Sequence, residues 1–253
     1  MNKPLTLLVS LVFMFNLLGC SSSNSISTQQ KQKNQLENLI IQANNKVGFN
    51  SVVLISKGDE VLFEKAIGKV GKNSSDKLTT NYAFSPGSIT KEFSVIALLQ
   101  LKQMNKISFN QSIADYFPEL PDWKHEITIE HLLTHSSGLP DVKYRANMTT
   151  IQALDDLKQL KTLKFSPGEK FDYGNNNTIL RGLVVEKVTG VSFEDYLQEN
   201  LFSVAGMSGT FAKSDFKHIN RKIALGAIPL ALKGVTAYTT AKDLLKLEQY
   251  LWS

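Results

Sequence analysis

AFSPGSITKEFSVIALLQLKQM, from Ala83 to Met104, decides how the rest of the chain is read. The end of an extended segment runs into a punctuated turn at Ser85-Pro86-Gly87 and then into a long helix. Ser85 is placed to cap that helix, and Pro86 to take its first position, where a missing N–H costs nothing. Ser88 then falls in the first turn, among free backbone N–H groups at the positive end of the helix dipole. Lys91 lies three residues on, so its amine reaches over the same face towards the Ser88 hydroxyl. Phe93, Val95, Ile96, Ala97, Leu98, Leu99 and Leu101 are apolar on too many sides for a surface helix and predict a buried, central one. A lysine at the mouth of such a helix is partly desolvated, which suits it to act as a base. Ser88 and Lys91 are therefore a candidate nucleophile and base. The competing reading is a serine that only caps and a lysine that only snorkels. Two further Ser-x-x-Lys pairs, Ser74 to Lys77 and Ser214 to Lys217, sit in polar surroundings with no apolar helix behind them.

Upstream of this stretch, Lys33 to Asn45 carries Leu36, Leu39 and Ile40 as a helical stripe. Asn50 to Ser56 then reads as a strand, Lys57-Gly58-Asp59 as a tight turn and Glu60 to Ile67 as the hairpin partner. At the start, Lys3 is followed by an apolar run from Leu5 to Leu18, the pattern of an export leader over residues 1–19. Leu17-Leu18-Gly19-Cys20 resembles the bacterial lipoprotein signal, which implies cleavage before Cys20 and lipid on its thiol. The alternative is an uncleaved membrane anchor, for which the run is short. Residues 20–34 read as a polar tether, and residues 35–253 as one domain. The expected location is the bacterial cell envelope, lipid-anchored and facing outside the cytoplasm.

Cys20 is the single cysteine, which removes any internal disulfide and any cysteine nucleophile from the folded part. The formal charge of +5 is spread without blocks of like charge or interleaved aromatics, so nucleic acid is a poor partner. His131 and His135 could share a helix face, but no acidic residue stands beside His131 in the HExxH manner. A structural or supporting role fits both, with Gly138 as the helix C-cap. No metal and no cofactor is expected.

Downstream, short helical pieces at Ser112 to Tyr116 and Ile129 to Thr134 precede longer ones at Thr149 to Leu163, Asn177 to Thr189 and Phe193 to Leu201. Without strand pairs between them, residues 105–215 read as an all-helical lobe. Within it, Lys170 to Asn177 is KFDYGNNN, where Tyr173 and Asn175 stand in a polar loop directly before a helix.

Taken together, these segments resemble the serine beta-lactamase-like family, the class C beta-lactamase and D-alanyl-D-alanine carboxypeptidase type that also includes esterases. Phe84 to Lys91 matches the nucleophile motif, Leu132 to Pro140 the inner-lobe segment and Tyr173-Gly174-Asn175 the second catalytic motif. Phe165 to Gly168 and Leu201 to Thr210 are similar as well. The resemblance implies an α/β fold, an antiparallel sheet flanked by helices plus an all-helical lobe. It also implies Ser88 as nucleophile, Lys91 in proton transfer, Tyr173 as general base and acid, and Asn175 bonding the substrate amide and the lysine.

The chain departs from the family beyond the segment Gly234 to Leu244. Members continue there with the remaining strands and a Lys-Thr-Gly or His-x-Gly motif, and this chain has neither motif. The expectation is therefore a C-terminally truncated member with the C-terminal sheet strands missing, able to self-associate through an exposed sheet edge. The resemblance implies a serine hydrolase acting through an acyl-enzyme on a peptidoglycan-type peptide, a beta-lactam or a small ester. The alternatives are a non-catalytic envelope protein that binds a cell-wall peptide, or an inactive truncated product.

Overall fold

Val52, Val53, Leu54 and Ile55 favour an extended backbone, and Gly58 supplies the left-handed φ of 55° that turns it back. The computed structural model, which describes residues 22–48, 50–71, 74–146, 148–212 and 232–252, forms a hairpin here. Strand β1 (Ser51–Lys57) pairs antiparallel with β2 (Glu60–Ile67), from Ser51 opposite Ile67 to Lys57 opposite Glu60. The register shifts between Ile55 and Ser56, leaving Leu62 as the extra residue of a bulge. Among the described residues these two strands make the whole sheet.

Helix α1 (Ser22–Val47) packs on β2, where Glu37 forms an ion pair with Lys65. It begins eleven residues before the expected helix, so the stretch read as a polar tether is helical from Ser22 onward. The proposed lipidation site, Cys20, lies outside the described residues, as do Ser214 and Lys217. On the other strand packs α7 (Ala241–Leu251), a helix the sequence reading did not identify. Thr240 caps it by accepting from the Asp243 backbone N–H, and the buried Asp243 carboxylate accepts from Gly209 N and Thr210 Oγ1.

Helix α2 (Thr90–Gln103) runs through the centre, with Phe93, Ala97, Leu98 and Leu101 wholly buried, while Leu99 is exposed. Burial of one such side chain contributes about 1.5–3 kcal/mol. Against α2 pack α5 (Asn175–Thr189) and α6 (Phe193–Leu197), the latter continued by a wide π-type turn at Gln198–Phe202, while α3 (Ile129–Leu133) packs on α5 and α4 (Thr150–Lys158) buries Ala153 in a cluster with Ile179 of α5. Phe93 meets Phe202 edge to face at 5.1 Å, which ties α2 to that turn. Gly190, at φ 76°, ends α5 where the sequence places the stop. Helix α4 ends five residues before the expected Leu163.

Two caps differ from expectation. Ser85 makes no cap, because Gly87 takes φ 57° and a 3₁₀ turn (Gly87–Ile89) separates it from α2, whose own N-cap is Ile89. Gly138 is not the C-cap of α3, since that helix closes at Thr134 and His135 itself takes the left-handed conformation at φ 53°. Gly138 serves a different contact. A Cβ there would stand 2.2 Å from the Phe165 carbonyl oxygen, and Lys164 N donates to Gly138 O at 2.8 Å. With Gly168 N donating to Ser136 O, this lays the segment after α3 along the Phe165–Gly168 turn.

Candidate active site

The 3₁₀ turn at Gly87–Ile89 lifts Ser88 to the surface at the mouth of α2, and Lys91 follows in the first turn of that helix, 7% exposed. Lys91 Nζ donates to Ser88 Oγ at 3.2 Å. From the far side of the helical lobe, the Tyr173 hydroxyl donates to the same oxygen at 2.8 Å. Lys91 Nζ also lies 5.0 Å from the Tyr173 ring centre, close enough for a cation–π contact. Thus the three residues singled out in the sequence, separated by up to 85 positions, converge on one hydroxyl oxygen.

Tyr173 stands on the loop that enters α5. Burial opposes its ionisation, yet its hydrogen bonds with Lys91 and Ser88 and the charges of Lys91 and Arg181 outweigh that, so its pKa falls below the ordinary tyrosine value. Its ring stacks on His135. His135 Nδ1 accepts from Gly174 N at 3.3 Å and faces Asn177 Nδ2 at 3.3 Å. Burial, then the charges of Arg181 and Lys91, push the imidazole pKa down to about 4, while Asp141 opposes them. The ring is therefore neutral at pH 7, with its proton on Nε2 because Nδ1 is an acceptor. His135 thus holds the Tyr173–Gly174 segment by a ring stack and a backbone hydrogen bond. His131 is occupied in a capping box with Thr128.

Asn175 departs from its expected contacts. Its Nδ2 donates to the Tyr144 hydroxyl and, at 3.4 Å, to Asp141 Oδ1, while its Oδ1 has no partner. It makes no bond to Lys91, because Asp141 Oδ1 also accepts from Asn175 N at 2.6 Å and turns this residue towards the Asp141–Tyr144 loop. Burial, with the charges of Asp141 and Tyr173, pushes the Tyr144 pKa up to about 12.

Asp141, Tyr144 and Arg181 were missed in the sequence. Arg181 carried a readable signal, a charged residue inside the apolar run Ile179-Leu180-Arg181-Gly182-Leu183. For Asp141 and Tyr144, in an irregular polar loop, no periodicity was available. Among the described residues no group of three His, Cys, Asp or Glu side chains is arranged to hold a metal ion.

The chain is similar to several known proteins. Penicillin-binding protein 4* of Bacillus subtilis is 28% identical over 191 residues, which is 72% of this chain and 42% of that protein. Protein flp of Staphylococcus aureus is 28% identical over 193 residues, 73% of this chain and 38% of that one. The chain thus spans less than half the length of these relatives. Among solved structures, a penicillin-binding protein from Bacillus halodurans superposes with a TM-score of 0.71 at 30% identity, covering 84% of this chain and 72% of that one. A class C beta-lactamase in complex with cefoxitin superposes with a TM-score of 0.73 at 22% identity, over 87% and 65% of the two chains, and so bears on the fold alone. The architecture is that of the beta-lactamase/transpeptidase fold. With the beta-lactamase family profile matching residues 36–251, from α1 to the last residue of α7, the chain belongs to that family.

Proposed function

We propose that this protein is a serine hydrolase of the beta-lactamase-like class in which Ser88 is the nucleophile, Tyr173 the general base and acid, and Lys91 the cation that supports both. One observation carries this reading, the 2.8 Å hydrogen bond between Tyr173 and Ser88. It joins a serine at a helix mouth to a phenol whose pKa is lowered, which is what activation of a weak nucleophile needs. With Tyr173 ionised, Ser88 Oγ bonds to the substrate carbonyl carbon in the first step, its proton passes to the Tyr173 phenolate oxygen, and the carbonyl electron pair moves onto oxygen. On collapse the bond to the leaving nitrogen or oxygen breaks, and Tyr173 returns the proton to the leaving group. Water then attacks the acyl-serine carbonyl, losing a proton to the same phenolate; the acyl carbon–Oγ bond breaks, the carboxylic acid leaves, and Ser88 Oγ takes the proton back from Tyr173.

Substrates of this chemistry share an acyl carbon with a leaving group, as in a peptidoglycan-type peptide, a beta-lactam or a small ester. We assign Asn175 to the substrate amide, because its Oδ1 lacks a protein partner beside the Tyr173 loop. The leader-like start of the sequence supports export and a lipid anchor at Cys20, where a diacylated form would hold the protein stably to a membrane. No helix among the described residues is long and apolar enough to cross a membrane.

Peptide mapping after exposure to a fluorophosphonate or penicillin probe tests the mechanism. An adduct on Ser88 that is lost in Ser88→Ala is expected; labelling of another serine, or undiminished labelling in that variant, overturns it.

A further inference from the structure

Arg181 heads the fully buried side chains of the described residues at 1% exposure, yet no carboxylate lies within ion-pair distance of it there. Among the described residues its one hydrogen bond runs from a terminal guanidinium nitrogen to Thr178 Oγ1 at 2.8 Å, and its Nε has no partner there. A buried charge without a counter-ion is costly, and an apolar residue of similar volume is the cheaper occupant of such a place. What surrounds the guanidinium accounts for its presence. Side chains on a helix lean towards its N-terminus, and Arg181 accordingly reaches back one turn to Thr178, beside Asn177. The Asn177 amide faces His135 Nδ1, and the His135 ring carries Tyr173 on its face. The guanidinium therefore lies on α5 one turn behind Asn177, the residue that faces the His135–Tyr173 stack.

We propose that Arg181 is a positioning residue for this site, a fixed positive charge behind the His135–Tyr173 stack that stabilises negative charge on the Tyr173 oxygen and keeps the imidazole neutral. The idea deepens the reading of Tyr173 as the base. Its charge depresses the pKa of both rings. The other groups facing Tyr173 are Lys91 from α2, His135 from the segment after α3, and Tyr144 from the following loop, with Asp141 of that loop facing His135 and Tyr144. Arg181 itself faces Glu92 of α2, an exposed carboxylate that only partly offsets its burial, and its own pKa falls to about 10.

The test is the titration of Tyr173, read from near-ultraviolet phenolate absorbance as the difference between each protein and its Tyr173→Phe counterpart. In Arg181→Met the Tyr173 titration is expected to rise by roughly one pH unit, while the melting temperature stays level or rises because an unpaired buried charge has gone. If the Met variant does not fold, Arg181→Gln keeps a donor for Thr178 without the charge and should show the same rise. An unchanged Tyr173 titration in a folded neutral variant, or failure of both neutral variants to fold, makes Arg181 a structural residue and overturns the proposal. Probe labelling of Ser88 is scored separately, so loss of the hydrolase reading would leave this result standing.

Discussion

Tyr173 lies flat on His135, with ring centres 4.7 Å apart and planes inclined by 26°. The candidate base is thus held by an aromatic surface that carries no charge at pH 7, since the imidazole pKa is down at about 4. Loss of that neutrality has a pH signature. The unfolded chain takes up a proton on His135 near pH 6.5 and the folded one only near 4, so stability is complete above the first value and declines as pH falls towards the second. The decline attributable to His135 is at most about 3 kcal/mol. Thermal melts between pH 7 and 4 check this against His135→Gln, in which that part of the pH dependence should be absent.

Tyr173→Phe keeps the ring on His135 and removes the hydroxyl that reaches Ser88. Acylation by a penicillin or fluorophosphonate probe should fall by about 10²–10⁴, the range for loss of a general base, with the melting temperature nearly unchanged. Stopped-flow or gel-based labelling rates beside a melt provide both readings. A large drop in stability would show that the hydroxyl holds the fold rather than the chemistry.

Gly138→Ala should destabilise the protein by more than about 2 kcal/mol, because the position has φ 76° and an added Cβ would collide with the Phe165 carbonyl oxygen. The damage should spread to the site, since Ser137 next door donates to Asn177 Oδ1 at 2.6 Å, and Asn177 faces His135. Urea denaturation measures the first effect. The loss of probe labelling at temperatures well below the melt measures the second.

Exposed apolar side chains are frequent on the hairpin and its helices: Leu39 and Val47 on α1, Ile55 on β1, Val61 and Leu62 on β2, and Trp252 just past α7. The chain from Cys20 onward should associate at micromolar concentration through these side chains, and Leu39→Lys with Leu62→Lys should weaken the association. Sedimentation velocity decides it, a concentration-independent monomer being the contrary result.

How far the sequence could be read depended on whether a feature was local. The hairpin was legible because Gly58 and the β-branched run of β1 each act within a few residues, and the register slip at Leu62 was not, because it arises between two strands. The burial of α2 followed from its composition, but its cap did not: a positive φ at Gly87 displaced the helix start from Ser85, and the serine and proline before it were read as the cap instead. Helix α7 had a usable sign in Thr240 followed three residues later by Asp243, which was passed over. Ser88 and Lys91 were found from a punctuated turn leading into an apolar helix and Tyr173 from a polar loop before a helix, the motif resemblance supplied their roles, and their convergence is a tertiary fact. The true surroundings of Asn175 depended on Asp141 and Tyr144, over thirty residues away in the chain.

The nucleophilic serine proposed here, the two groups that contact its oxygen, and the residues behind them all fall between positions 88 and 181, and none of the contacts described at the site comes from β1 or β2. Among the described residues the hairpin and the proposed site are consequently separate parts of one chain. Sequence change in the hairpin can alter stability, solubility or association without moving a reacting atom, whereas the helical lobe cannot shift one turn of α5 without redrawing the site. Selection on catalysis and selection on assembly would therefore leave their marks in different stretches of the gene.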